Sequence, residues 1–168
     1  MATEGAMFDW SGVYFKEIVE APENLIIVGY ASFMVTMAAG RFVGDYIISR
    51  IGRKRTLQGS GLLMFIGMMG SVIFPDFWLC TIAFMLVGIG VACNVPTVYS
   101  LAGKSTKVPS GVALAMVSSI SFLGFLMGPP LIGYIAELFS LRYSYGVFAF
   151  FGLMMFVMTS KLKMFRDE

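Results

Sequence analysis

The sequence predicts an all-α integral membrane protein of about six helical spans, the first of them incomplete. Three observations carry this. Of its 168 residues, 58% are hydrophobic and 13% charged, with a mean hydropathy of +0.82. Soluble domains of this size carry about 25% charged residues. So much apolar surface cannot be buried in one small aqueous core, and lipid must be a second solvent. The apolar residues also fall into long runs, several of them near the roughly 20 residues that cross a bilayer core. Finally, threading the chain through successive crossings collects its basic residues on one side.

Residues 1–20 form the incomplete span: Ala6 to Val19 is apolar but interrupted by Asp9, Lys16 and Glu17, as in the outer part of a longer helix. Residues 24–49 make the second, uncharged from Asn24 to Gly40 and continuing past Arg41 and Asp45 to Ser49. The third (56–75), fourth (77–103) and fifth (108–136) are uncharged throughout, and the sixth (143–163) is uncharged to Ser160. Between them stand short charged or proline-bearing connections, Arg50–Arg55, Pro75–Asp76, Lys104–Pro109 and Glu137–Arg142. Connections this tight join antiparallel neighbours.

With Arg50–Arg55 in the cytoplasm, the inner side receives Arg50, Arg53, Lys54, Arg55, Lys104, Lys107, Lys161, Lys163 and Arg166, and the outer side only Lys16 and Arg142. This places both termini in the cytoplasm of a multi-pass protein, by expectation in a bacterial inner membrane. With no histidine and two cysteines, Cys80 and Cys93, in apolar runs without ligand spacing, no metal site or disulfide framework is expected. Glu4 and Asp9 stand where a signal peptide would carry basic residues. There is no phosphate-cradling loop, nucleophile–base pair or nucleic-acid motif, so the expectation is no enzyme, no cofactor and no nucleic acid partner.

Four segments carry a functional signal. Gly40 and Gly44 put two side-chain-free positions on one helix face, beside Arg41 and Asp45 and ahead of Arg50, Gly52 and Arg53. An unpaired carboxylate just inside the membrane edge is costly, and arginines one turn away can neutralise Asp45. The bland alternative is a packing notch with snorkelling basic residues. In the fifth span Gly124, Gly128 and Gly133 surround Pro129 and Pro130, which remove backbone donors and predict a bend. In the fourth, Pro96 frees the Ala92 carbonyl while Asn94 and Thr97 share a face. This is either a transport path or ordinary interhelical bonding. In the first, Glu4, Ser11 and Tyr14 fall within one arc and Asp9 projects away. Glu4 is then a proton-relay or substrate-hydroxyl candidate, or an ordinary terminal residue.

The Gly-x-x-x-Asp stretch leading to Arg-Ile-Gly-Arg-Lys-Arg resembles the loop signature of the major facilitator superfamily. The Glu4–Ser11 segment and the Gly124–Glu137 run are similar to the seventh and eleventh helices of its sugar-permease-like branch. Tyr46 departs from the signature, where an arginine often follows the aspartate. The resemblance implies a six-helix C-terminal half of a twelve-helix fold, with substrate bound between two halves. It also implies a cytoplasmic latch in which Asp45 pairs with Arg50, Arg53 or Arg41. The expected function is gradient-driven, proton-coupled transport of a small polar solute such as a sugar, with the lipid bilayer and an N-terminal six-helix half as partners. The alternatives are drug or metabolite efflux by the same fold, and a small non-transporting membrane protein that packs against a partner.

Overall fold

The computed structural model describes residues 1–161, which form helices α1 (Ala2–Glu17), α2 (Ile27–Ile51), α3 (Arg53–Ile73), α4 (Phe77–Ala92), α5 (Asn94–Gly103), α6 (Ser110–Leu138) and α7 (Leu141–Lys161). Five stretches are long and apolar enough to cross a membrane: Glu23–Ile51, Arg53–Ile73, Phe77–Gly103 (α4 with α5), Ser110–Leu138 and Leu141–Lys161. At 1.5 Å per residue the 16 residues of α1 reach only about 24 Å, so α1 is the short span that its charges predict. Lys163 and Arg166 lie outside the described residues, as does the expected end of the last span.

Two connections are tighter than expected. Arg53–Arg55 already belong to α3, leaving Gly52 alone between α2 and α3 with φ +88° and ψ 156°. Only glycine takes such a backbone without strain. Its carbonyl accepts both the backbone N–H and the hydroxyl of Thr56, at 3.1 and 2.8 Å. Likewise Glu137 and Arg142 stay helical, and only Phe139 and Ser140 separate α6 from α7. At the opposite end from Gly52, Asp76 caps α4 by accepting the Trp78 N–H at 3.2 Å.

Glycines set the helix crossings, because an approach this close leaves no room for a Cβ. α3 and α7 run antiparallel with Gly61 and Gly152 in register: a Cβ on Gly61 would lie 2.7 Å from the Gly152 carbonyl oxygen. The pair is pinned at one end by Gln58 donating to Ser160 at 2.9 Å and at the other by Arg142, whose guanidinium donates to the Val72 carbonyl. α4 uses two faces, Gly88 against Phe33 and Thr36 of α2 and Gly90 against Ser60 and Met64 of α3. α1 lies inside the bundle, with Thr3 through Met7, Ser11, Tyr14 and Phe15 buried. Around its outer half Tyr14, Phe15, Phe84 and Tyr145 stack; Tyr14 and Tyr145 have ring centroids 4.3 Å apart. By contrast α6 buries only Ala113, Gly128 and Ile132, and α2 only Gly29, Phe33, Met37 and Gly44.

Candidate functional site

The first helix presents one polar face, and that face turns into the bundle. Glu4, Ser11 and Tyr14 are all buried, so the stripe does not line an open surface. Tyr14 donates its hydroxyl to the Ser71 carbonyl at 2.7 Å, while the Ser11 hydroxyl has no protein partner. Glu4 Oε1 accepts from the Arg41 guanidinium at 2.6 Å, the one ion pair among the described residues. The carboxylate side chain is 6% exposed and the guanidinium side chain 47%. Glu4 Oε2 is buried with no partner. Only the carboxylate side of the pair is shielded from water, and removing Arg41 would leave that buried charge without its partner.

The expected latch is a different pairing, of Asp45 with Arg50 or Arg53, or with Arg41 where the helix end unwinds. Asp45 is exposed and enters no ion pair among the described residues. The reason is helical geometry. α2 continues unbroken past Ser49, so Arg50, five residues on, lies about 140° around the helix from Asp45. Arg50 instead covers the Tyr46 ring, 5.2 Å from its centroid. Arg41 does share a face with Asp45, but its guanidinium reaches the other way, to Glu4 on α1. Arg53 opens α3 beyond the Gly52 reversal. Gly40 and Gly44 form a packing notch: Cβ atoms there would lie 2.7 Å from Ala92 Cβ and 3.3 Å from Cys93 Sγ.

That notch seats the break in the fourth span. α4 stops at Ala92 and α5 starts at Asn94, as Pro96, which cannot donate to the Ala92 carbonyl, dictates. Thr97 is buried and spends its hydroxyl on the Cys93 carbonyl at 2.6 Å. Asn94 donates to Met64 Sδ at 3.4 Å and keeps a buried, unpartnered Oδ1. Asn94 and Thr97 are thus brought to the break, and neither meets Glu4 among the described hydrogen bonds.

α6 remains one helix through Pro129 and Pro130. α1 packs against this stretch. Pro129 leaves the Phe125 carbonyl without its helical donor, and Gly5 packs directly on that oxygen. Gly128 packs on the Ala2 backbone in turn. Gly124 is in ordinary contact, its nearest neighbour 3.8 Å away. Trp10 donates its indole N–H to the Pro129 carbonyl at 3.1 Å, and its ring edge lies on Gly133. Beside it runs an open groove of about 630 Å³ between α1 and α6, lined by Asp9, Trp10, Pro130, Tyr134 and Glu137 among others. The sequence reading did not single out Tyr134 and Glu137 as site residues. Their spacing from Pro130, at i+4 and i+7 on one helix face, was the available signal.

The family model of the Major Facilitator Superfamily matches residues 6–167. The chain is 36% identical over 146 residues to an uncharacterised transporter of this type from Yersinia pestis, covering 87% of this chain and 38% of the relative. It is 30% identical over 107 residues to a D-xylose transporter from Levilactobacillus brevis, 53% of this chain and 23% of the relative. It is 34% identical over 117 residues to the multi-drug resistance efflux pump PmrA of Streptococcus pneumoniae, 68% of this chain and 29% of the relative. The chain therefore spans less than half the length of each of these relatives. No solved structure matches it.

Proposed function

The chain belongs to the major facilitator superfamily, and on that premise we propose that it works as one six-helix half of a secondary transporter for a small polar solute, sugar-like, coupled to protons. In this reading it sits in a bacterial plasma membrane with both termini cytoplasmic, packs against a second six-helix half, and is not an enzyme. Its barely buried helices α2 and α6 supply the surfaces for that packing.

The observation that carries the coupling is the Glu4–Arg41 pair. Glu4 is a buried carboxylate within a spanning bundle, where ionisable groups mark ion and substrate pathways. Its partner lies on another helix and is half exposed. Protonating Glu4 removes the charge that holds Arg41 and so the one ion pair between α1 and α2 among the described residues, leaving the Phe8 and Phe15 contacts to join them, and proton binding thereby gains a mechanical readout. Population shift of this kind needs only a differential affinity between the linked and unlinked arrangements.

The test is Glu4→Gln in the intact transporter, scored for proton-driven uptake and for energy-independent counterflow. Loss of driven uptake with counterflow retained is the expected outcome; unchanged driven uptake removes Glu4 from the mechanism. Efflux is the second reading, favoured by the similarity to PmrA, and vesicles of inverted orientation would reveal it as drug accumulation.

A further inference from the structure

The groove between α1 and α6 is not used by the Glu4–Arg41 pair, and its chemistry is one-sided. Both charged groups lining it, Asp9 and Glu137, are carboxylates, and both are exposed. Neither enters an ion pair among the described residues. Lys16, two turns outward from Asp9 on the same side of α1, makes no ion pair either. Asp9 stands in the middle of α1, between the buried Thr3–Met7 stretch and the buried Ser11, Tyr14 and Phe15, across from the prolines of α6. A carboxylate at such depth facing lipid is costly, so it faces water, a partner or a ligand.

The aromatic lining narrows the ligand. Trp10 has spent its only donor on the Pro129 carbonyl, and its ring edge rests against Gly133. It therefore has no hydrogen bond to offer a solute; what remains is a fixed π surface, the best partner a cation has among side chains. A ring already held in place loses little freedom when a ligand arrives. Tyr134, exposed on α6, is the second aromatic wall. At about 630 Å³ the space is that of a small-molecule site.

We propose that this groove takes the cationic part of an amine-bearing organic solute, held between the Asp9 and Glu137 carboxylates and against the Trp10 and Tyr134 rings. In calling the occupant a transported solute, this rests on the transport reading above and narrows its small polar solute to one that carries an amine, in place of a neutral sugar.

The experiment needs no knowledge of the natural solute. Tyr134→Cys is introduced into the intact transporter, in a background where any cysteine outside this chain is replaced and Cys80 and Cys93 of this chain are buried, and its labelling is timed with a cationic trimethylammonium methanethiosulfonate and an anionic sulfonate one. The cationic reagent should react faster by about tenfold or more, the range that focused charge gives. That preference should vanish in the Asp9→Asn/Glu137→Gln background. Tetraphenylphosphonium should slow the labelling in the parent and not in that background, while tetraphenylborate, its anionic match in size, should slow neither. Equal rates for the two reagents, protection by both ions alike, or no protection would overturn the proposal. No labelling by either reagent would also overturn it, since protein then fills the groove. These readouts do not involve transport, so their failure leaves the Glu4→Gln result to decide the transport reading separately.

Discussion

At the scale of single residues, the ion pair between α1 and α2 makes a prediction with a definite sign. Arg41→Gln leaves the Glu4 carboxylate buried and unpaired, which costs about 1–3 kcal/mol or more for a charged group. Glu4→Gln combined with Arg41→Gln removes both charges and should be more stable than Arg41→Gln alone, since neutral replacement of a buried pair is often tolerated. Apparent unfolding midpoints in one detergent rank the variants; a double variant less stable than Arg41→Gln would mean the pair is not what those residues contribute. The sequence let the face of α1 be read, because 100° per residue puts Glu4, Ser11 and Tyr14 together whatever surrounds them. What that face meets was not legible. The partner of Glu4 lies 37 positions away, in a motif whose resemblance implied pairing of Asp45 with Arg50 or Arg53 and gave Arg41 only a reserve place there. No periodicity states which of two acidic groups a long flexible side chain will choose.

At the scale of elements, hydropathy placed the spans to within a few residues because each must cover the same apolar thickness. Pro96 likewise placed the break between α4 and α5. The faces on which helices meet were less legible. Gly88 and Gly90 are two residues apart, yet one admits α2 and the other α3, and a run of small residues does not say which neighbour each will receive. Substitution separates the two classes of glycine. Alanine at Gly61, Gly88 or Gly128 pushes a Cβ into the backbone or side chain of the facing helix and should cost about 1–3 kcal/mol. Alanine at Gly59, Gly111 or Gly146, where nothing lies within 4 Å, should be neutral, or stabilising by the helix propensity of alanine. Yield of monodisperse protein and unfolding midpoint would distinguish them. Equal losses in both sets would show that the crossings are not glycine-limited.

At the scale of the whole molecule, the distribution of basic residues leads us to propose an orientation that cysteine accessibility can check. Lys54→Cys should react only from the cytoplasm, and Asp76→Cys and Arg142→Cys only from outside. Labelling of position 54 in intact cells would invert the topology. Charge sums are legible in sequence because the positive-inside rule counts residues near span ends without reference to packing. The arrangement that packing produces has a consequence in time. One face of α1 is buried, yet Gly5 and Gly128, which seat it against α6, are more than a hundred residues apart in the chain. At about 5–20 residues per second of synthesis, α1 is made roughly ten seconds before the surface that encloses it. Through that interval Glu4 already has Arg41 within reach of the growing chain, whereas the Trp10 indole N–H, which ends on the Pro129 carbonyl, has no settled partner. On this order of synthesis the Gly5 face of α1 stays uncovered until α6 is made. Slowing synthesis ahead of α6 should expose α1 to quality-control proteolysis, a vulnerability that belongs to the order of manufacture and not to the finished fold.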